Sequence, residues 1–275
     1  MHHEGSIETS CSNDRITEFF AHLPKARSRA LLLDYDGTLA PFTSNPARAH
    51  PYPEISETLQ SIQGGCDTRV VIVTGREASD IPTLLNITGV EIWGCHGIER
   101  MRADGSIEIA RIDARLLAAI ETASKFIACE GLSHLAERKT ASIAIHWRGK
   151  EDISEHVVRR IRRIWSMIPD RTDLRLAPFD GGLEIRVAMR DKGDSVRSIF
   201  SEMEPDVAMA YLGDDSTDED AFGALNRRGL NMLVRDAYRP TLADAWIGPP
   251  EGLLAFLHAW TSACRPVNAS QTANL

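Results

Sequence analysis

Residues 30–38, Ala-Leu-Leu-Leu-Asp-Tyr-Asp-Gly-Thr, carry the most informative pattern in the chain. The apolar run Ala30–Leu33 is typical of a strand buried on both faces, and Gly37 permits a tight turn after it. Two acids two residues apart suit two chemical roles, with Asp34 attacking phosphorus and Asp36 transferring a proton. An acidic turn is the usual interpretation of an isolated pair of this kind. The buried strand before the pair and the Gly-Thr after it favour a catalytic site instead.

Strand patterns alternate with helix patterns along most of the chain, which predicts an α/β fold with a mainly parallel sheet. Further apolar runs predict strands at Arg69–Val73, Val90–Trp93, Val207–Leu212 and Leu230–Val234. The segments between them predict helices at Glu54–Ile62, Ser79–Asn86, Lys192–Glu202 and Asp218–Asn226.

The middle of the chain has a different pattern, which predicts a small α+β insert over residues 112–182. Arg115–Glu130 is predicted to be a helix, and Ser142–Trp147 alternates like a strand with one exposed face. Apolar residues then recur at helical spacing from Ile153 to Ile168. Short strands are predicted at Leu174–Ala177 and Leu183–Val187.

Polar residues follow two more of the predicted parallel strands, where ligands bind in open α/β sheets. Thr74-Gly75-Arg76 can cradle a phosphate with a hydroxyl and backbone N–H groups, although such turns are common in structural roles. Residues 213–220, Gly-Asp-Asp-Ser-Thr-Asp-Glu-Asp, crowd five acids together, which predicts a cation such as Mg²⁺. An acid-rich helix N-terminus is the alternative. Lys192, before a helix, can neutralise a phosphoryl group or can be a solvated loop residue.

Composition narrows the functional class. The 275 residues carry a formal net charge of −8, which argues against nucleic acid as the main partner. An odd count of five cysteines without a CxxC pair indicates a reduced protein rather than a disulfide scaffold. The first residues lack the apolar core of a signal peptide, and no apolar run is long enough to span a membrane. We therefore expect a cytoplasmic protein with no membrane partner.

The ordered set Asp34-x-Asp36-Gly37-Thr38, Thr74, Lys192 and Gly213-Asp214-Asp215 resembles the haloacid dehalogenase (HAD) superfamily. The resemblance implies a Rossmann-like core and a cap inserted between the second and third motifs. It divides the chain into an N-terminal extension (1–25), a core (26–111 and 183–262), the cap (112–182) and a flexible tail (263–275). It also implies that Asp34 is the nucleophile and Asp36 the general acid/base, with Thr74 and Lys192 holding the phosphoryl group. The implied Mg²⁺ ligands are Asp34, the backbone carbonyl of Asp36, Asp214, Asp215 and Asp218.

The strings Leu33–Leu39, Gly94–Glu99 and Gly213–Phe222 are more specifically similar to trehalose-6-phosphate phosphatases. Glu137-Arg138-Lys139, His146-Trp147-Arg148 and Glu184-Ile185-Arg186 also fit that family. The resemblance implies hydrolysis of trehalose 6-phosphate through an aspartyl-phosphate, and a trehalose-6-phosphate synthase as a candidate partner. The implied substrate-binding residues are Gly75, Arg76, His96, Glu99, Glu137, Lys139, His146, Arg148, Glu184 and Arg186.

Two other functions remain open at this point. One is another glycosyl-phosphate phosphatase, acting on sucrose phosphate or on mannosyl- or glucosyl-3-phosphoglycerate. The other is a catalytically silent sugar-phosphate sensor or regulatory domain, against which the intact set Asp34, Asp36, Lys192 and Asp214 argues.

Overall fold

The computed structural model of the chain describes residues 5–264, apart from residues 44, 151, 153 and 180. The α-helices within these residues are α1 (Gly5–His22), α2 (Ile55–Gly65), α3 (Ile81–Leu85), α4 (Ala114–Cys129), α5 (Ser154–Met167), α6 (Lys192–Ser201), α7 (Asp218–Leu225) and α8 (Glu251–Cys264). The strands are β1 (Ser28–Leu33), β2 (Thr68–Val73), β3 (Glu91–Gly94), β4 (Glu99–Met101), β5 (Ile107–Ile109), β6 (Ala136–Lys139), β7 (Ser142–His146), β8 (Leu174–Phe179), β9 (Gly182–Val187), β10 (Val207–Gly213), β11 (Leu230–Val234) and β12 (Ala245–Ile247).

A large sheet forms the core of the molecule, with strand order β12-β11-β10-β1-β2-β3-β4-β5. Neighbouring strands are parallel from β12 to β3, and β4 and β5 are antiparallel at the end. Helices α1, α2 and α8 pack on one face, while α6 and α7 pack on the other. Burial on both faces explains why the central strands are continuous apolar runs. The predicted α/β class and mainly parallel sheet are therefore confirmed.

A second sheet has strand order β6-β7-β9-β8 and is entirely antiparallel. Alternate residues such as Ile143 and Ile185 point to one face, where they pack against Ile120 of α4 and Ile161 of α5. The other face carries mainly polar residues, because side chains on a strand alternate between the two faces. This sheet and its two helices form the small α+β unit that the sequence predicted, here called the cap.

Two details of the predicted insert are wrong. Strand β9 pairs with β7 and β8, so residues 183–187 belong to the cap sheet and not to the core. The predicted exposed face of Ser142–Trp147 is largely buried, since Ser142 and Ala144 are both buried. That face lies over the core, and the boundary of the cap falls after Val187.

The ends of the chain extend the core further than the sequence indicated. Phe19 of α1 packs against Trp260 of α8, with ring centroids 5.7 Å apart. Arg15 of the same helix donates to the backbone carbonyl of Gly229 at 2.7 Å. The predicted N-terminal extension thus packs on the large sheet from residue 14 onward. The predicted flexible tail lies outside the described residues from residue 265. Among the described helices, none combines the length and the apolar character that a membrane crossing requires.

Candidate active site

Three parallel strands deliver the predicted site residues to one edge of the large sheet. Strand β1 lies between β10 and β2, so Asp34 after β1 has Asp214 on one side and Thr74 on the other. The backbone N–H of Asp34 donates to Leu212 of β10 at 2.9 Å, which continues the ladder to the end of the strand. The sheet topology therefore brings together residues that are up to 180 positions apart in sequence.

A buried lysine lies at the centre of this edge. Lys192 Nζ donates to Asp34 Oδ1 and to Asp218 Oδ1, each at 2.7 Å, and the lysine is only 3% exposed. Lys192 begins α6, whose N-terminus is fixed by a reciprocal capping box between Asp191 and Asp194. The solvated-loop interpretation of Lys192 is therefore wrong, and its charge faces the predicted nucleophile.

Asp218 is fully occupied by donors from the protein. Its Oδ1 accepts from Lys192 and from the Tyr211 hydroxyl at 2.6 Å, and its Oδ2 accepts from the backbone N–H groups of Asp214 and Asp215. Four hydrogen bonds use the lone pairs that a carboxylate offers. Asp218 thus orients Lys192 and the acidic loop in this structure.

The acids at this edge of the sheet fit a divalent cation. Carboxylate oxygens of Asp34, Asp214 and Asp218 lie within 4.8 Å of one another. Asp214 Oδ1 is buried and accepts no hydrogen bond from any described residue. An oxygen-only donor set with an unsatisfied buried carboxylate suits Mg²⁺. Gly37 allows the close approach, because a Cβ there would lie 2.3 Å from Asp214 Oδ2 and its φ is +84°.

Burial dominates the electrostatics of these acids. It raises the pKa of Asp34 to about 7, against the opposing effect of Lys192, and Asp218 adds to the rise. It also raises the pKa of Asp214 well above its usual value, with Asp34 and Asp218 contributing. Burial alone would lower the pKa of Lys192, but Asp218 and Asp34 raise it above its usual range. The site therefore holds a lysine that stays protonated and several buried carboxyl groups. A bound cation would reduce the unfavourable free energy of ionising those carboxyl groups.

Asp36 and Arg76 form a two-point pair beside the nucleophile. Arg76 Nε and Nη2 each donate to Asp36 carboxylate oxygens at 2.7 Å, and Arg76 Nη1 donates to the carbonyl of Pro46. This fork geometry fixes the orientation of the Asp36 carboxyl group. Arg76 was predicted to bind substrate, but in this structure its donors serve Asp36 and Pro46.

The turn Thr74-Gly75-Arg76 after β2, which was predicted to bind phosphate, packs closely against His96. Thr74 Oγ1 accepts from the backbone N–H of Arg76 at 3.1 Å. A Cβ at Gly75 would lie 2.8 Å from the His96 ring, so the ring can approach only because residue 75 is glycine. Burial, followed by Arg186, lowers the pKa of His96 to about 4, while Glu184 opposes the shift. The imidazole is therefore neutral at physiological pH.

The polar face of the cap sheet covers this edge. Glu137 accepts from His146 at 2.8 Å, and Lys139 Nζ donates to the carbonyl of Gly75 at 3.0 Å. Glu184 Oε1 accepts from the Ser142 hydroxyl at 2.6 Å and lies 3.6 Å from Lys139 Nζ. Lys139, His96 and Ser142 lower the pKa of Glu184 although burial raises it.

A cavity of about 450 Å³ lies between the two sheets. The predicted residues that line it are Asp34, Asp36, Thr74, Gly75, Arg76, His96, Glu137, Lys139, His146, Arg148, Glu184, Lys192, Asp214 and Asp215. Three predicted residues do not line it. Asp218 lies beneath Lys192, and Arg186 faces a different cavity. Glu99 accepts from the backbone N–H of Ala78 at 2.8 Å and from the Thr140 hydroxyl at 2.5 Å, so it joins the core to the cap.

Sequence reasoning missed two features of the site. The cavity has aromatic walls at Phe42 and Phe179, and the Arg148 guanidinium lies 4.4 Å from the centre of the Phe42 ring. Arg239 braces the acidic loop by donating to the backbone carbonyls of Asp214 and Asp215. Both depend on contacts between residues that are distant in sequence, and a single phenylalanine or arginine gives no local signal of such contacts.

Comparison with known proteins supports the same family. The profile of the family described as Trehalose-phosphatase matches residues 32–241. Trehalose-phosphate phosphatase B of Arabidopsis thaliana is 29% identical over 251 residues, covering 85% of this chain and 66% of that protein. An uncharacterized glycosyl hydrolase of Mycobacterium tuberculosis is 30% identical over 222 residues, covering 76% of this chain but 16% of that protein. This chain therefore spans less than two thirds of either relative.

A solved structure with the same fold is the C-terminal domain of trehalose-6-phosphate phosphatase from C. albicans. It matches with a TM-score of 0.77 at 20% sequence identity, and the match covers 90% of this chain and 96% of that chain.

The buried acids predict a pH-dependent response to metal. The pKa of Asp34 is about 7 in the folded chain against a model-compound value of 3.8. The folded state therefore binds this proton more tightly than the unfolded state. That contribution to stability is fully present below pH 3.8 and is lost as the pH rises through about 7, with Asp214 acting in the same direction. Mg²⁺ should therefore raise the melting temperature more at about pH 8 than at about pH 5.5.

Thermal melts of metal-free and Mg²⁺-loaded protein at the two pH values measure this difference. Asp214→Asn should reduce the difference, whereas Asp104→Asn, in an exposed turn, should leave it unchanged. An equal Mg²⁺ effect at both pH values in the wild-type protein would contradict the prediction.

Proposed function

The chain belongs to the trehalose-phosphatase family, and on that basis we propose that it hydrolyses trehalose 6-phosphate to trehalose and phosphate. The observation that carries the proposal is the buried Lys192, which pairs with Asp34 at the base of a cavity roofed by Glu137, Lys139 and Glu184. The base of the cavity presents a nucleophile beside a fixed positive charge. The roof presents hydrogen-bonding groups suited to sugar hydroxyls.

The proposed reaction has two displacements at phosphorus. An Asp34 oxygen attacks the phosphorus atom, the bond from phosphorus to the sugar oxygen breaks, and Asp36 gives its proton to that oxygen. Water then attacks the phosphorus of the acyl phosphate and loses a proton to Asp36. Phosphate leaves and the Asp34 carboxylate is restored. Lys192 and Thr74 are placed to hold the phosphoryl oxygens in both steps.

We propose Mg²⁺ as the metal, held by Asp34 and Asp214, with Asp215 and the Asp36 backbone carbonyl completing the protein ligands. When bound, it would supply positive charge to the phosphoryl oxygens. The unsatisfied Asp214 carboxylate supports this assignment. Asp218 contributes by fixing the position of Lys192 and of the loop amides.

Sugar recognition falls to the residues of the cap that remain partly open to the cavity. The Glu137 side chain is 37% exposed, whereas that of Glu184 is 6% exposed and already satisfied by Ser142, His96 and Lys139. Glu137 is thus the carboxylate best placed to accept from hydroxyls, and Glu184 holds Lys139 and His96 in position. The cytoplasmic location and a synthase partner stay predictions from the sequence.

A panel of sugar phosphates tests the substrate assignment. With Mg²⁺, we expect kcat/KM for trehalose 6-phosphate to exceed that for glucose 6-phosphate by about a hundredfold, because the second ring adds contacts to the cap. Phosphate release is the readout, and metal removal should abolish it. Faster hydrolysis of sucrose 6-phosphate or of a glycosyl phosphoglycerate would transfer the assignment to that substrate. No release from any sugar phosphate would indicate a silent sensor.

Asp34→Asn should lower kcat by roughly a thousandfold or more, since an amide does not attack phosphorus. Its melting temperature should stay close to that of the wild type, because the amide retains the shape of the side chain. Single-turnover phosphate release from purified protein is the measurement. Activity within tenfold of wild type would remove Asp34 from the role of nucleophile.

Glu137→Gln should lower kcat/KM for trehalose 6-phosphate by about tenfold or more, as expected for a lost charged hydrogen bond. Hydrolysis of an aryl phosphate, which lacks the sugar, should change less than about threefold. Glu121→Gln, on the exposed surface of α4, is the matched control and should leave both substrates unaffected. Equal losses on both substrates would show that Glu137 supports the fold of the cap.

A further inference from the structure

A second cavity lies along the seam between the cap and the core and adjoins the active-site cavity. This seam cavity has a volume of about 760 Å³. Its lining includes Arg162 and Trp165 of α5, Arg175 of β8, Arg186 of β9, Ser216 before α7 and Asp220 within α7. Ala177, Pro178 and Thr217 line both cavities. Arg186 lines only the seam cavity, so the polar face of the cap sheet serves two different spaces.

Arg186 is buried without the partners that a buried guanidinium requires. The residue is 5% exposed. Its Nε and Nη1 are buried, and neither donates a hydrogen bond to any described residue. A buried charged donor without an acceptor is costly, so most such groups in proteins are paired. The unpaired guanidinium faces a cavity, which points to an acceptor supplied by a ligand.

A second arginine increases the excess of positive charge. Arg175 lies directly opposite Arg186 in the β8–β9 pairing. Side chains at such positions lie roughly 5 Å apart at Cβ, and like charges there destabilise a sheet. Burial lowers the pKa of Arg186 and Arg175 lowers it further, while Glu184 and Asp220 oppose the shift. A ligand with negative charge would satisfy both side chains at once.

The rest of the lining agrees with an organic anion. Arg162 adds a third positive charge, and Asp220 is the one acidic side chain among the described residues that line the cavity. Trp165, Leu176 and Pro178 supply an apolar wall beside the arginines. Guanidinium groups bind phosphate and carboxylate oxygens in a two-point geometry.

We propose that the seam cavity is a second ligand site, which binds a small organic phosphate through Arg186, Arg175 and Arg162 with its apolar part against Trp165. The site is separate from the one that carries out the proposed hydrolysis. Its occupant would contact the cap at β8, β9 and α5 and the core at the loop that precedes α7. It would therefore bind across the seam on which the position of the cap over the active site depends.

Calorimetric titration with phenylphosphonate tests the proposal, since a carbon–phosphorus bond is not a phosphatase substrate. The protein and buffer are stripped of metal, so that the acids of the active site repel the probe. We expect saturable binding near one equivalent, weakened at least about tenfold by Arg186→Gln and severalfold by Arg175→Gln. Arg159→Gln, at an exposed position on α5, should bind like the wild type.

Each outcome of this experiment counts for or against the site. Absence of binding at millimolar probe, or wild-type affinity in both Arg186→Gln and Arg175→Gln, would overturn the proposal. If Arg186→Gln fails to fold, Arg175→Gln and Arg162→Gln decide the matter, because both side chains are exposed. A parallel titration with inorganic phosphate shows whether the site prefers free phosphate or an organic phosphate. Equal affinity supports the site with free phosphate as its ligand, and weaker affinity supports an organic phosphate.

Discussion

One buried ammonium group holds the candidate active site together. Lys192 lies between the carboxylates of Asp34 and Asp218, and all three side chains are almost completely buried. Removing the lysine would leave two buried carboxylates without their shared counter-charge, and a buried charge left without its partner typically costs about 3–5 kcal/mol. The lysine joins the end of β1 to the starts of α6 and α7. The same ion pairs therefore orient the candidate nucleophile and hold these three elements together. Gly193 next to it permits α6 to approach α7 closely, since a Cβ there would lie 2.4 Å from the carbonyl oxygen of Asp220.

The cap sheet divides its polar face between two tasks. Glu184 and Arg186 are two residues apart on β9 and point to the same face, yet they line different cavities. Towards β6 the face carries acids and a lysine that pair with one another above the active site. Towards the edge strand β8 it carries Arg175 and Arg186, and two donor atoms of Arg186 have no acceptor within the described part of the chain. Charge on this sheet is therefore balanced over the active site and unbalanced at the seam.

Strands could be predicted best where the local sequence pattern matches the position of the strand in the large sheet. Continuous apolar runs identified β1, β2, β10 and β11 within a residue or two of their bounds, because strands buried on both faces leave little ambiguity. The polar residues after β1, β2 and β10 were predicted to converge, and the parallel topology brings them together. Short strands such as β4, β5 and β12 were missed, since three residues carry no periodicity.

Individual site residues were harder to place because their roles depend on contacts between distant elements. The predicted boundary at residue 182 put strand β9 in the core, and only its pairing with β7 and β8 shows that it belongs to the cap. Asp218 was predicted as a metal ligand and lies in the group of three carboxylates that could hold a cation, but nothing in the sequence indicated its four donors from the protein. The family resemblance of Glu184-Ile185-Arg186 implied that both charged residues contact the sugar, yet Arg186 lines the seam cavity. The spacing of two residues in the sequence places them on the same face of a strand, but it does not show that they line different cavities.

The bond network around Thr140 bears on how long a product stays in the protein. The Thr140 backbone N–H donates to Glu77 and its hydroxyl to Glu99, while the neighbouring Lys139 donates to Gly75. All three connect the turn between β6 and β7 to the core. In the proposed reaction, lifting of the cap would exchange these bonds for hydrogen bonds to water, and lid motions of this kind commonly govern turnover. The time that the sugar product stays bound would then depend partly on Glu77, Glu99 and Thr140, none of which lines the active-site cavity.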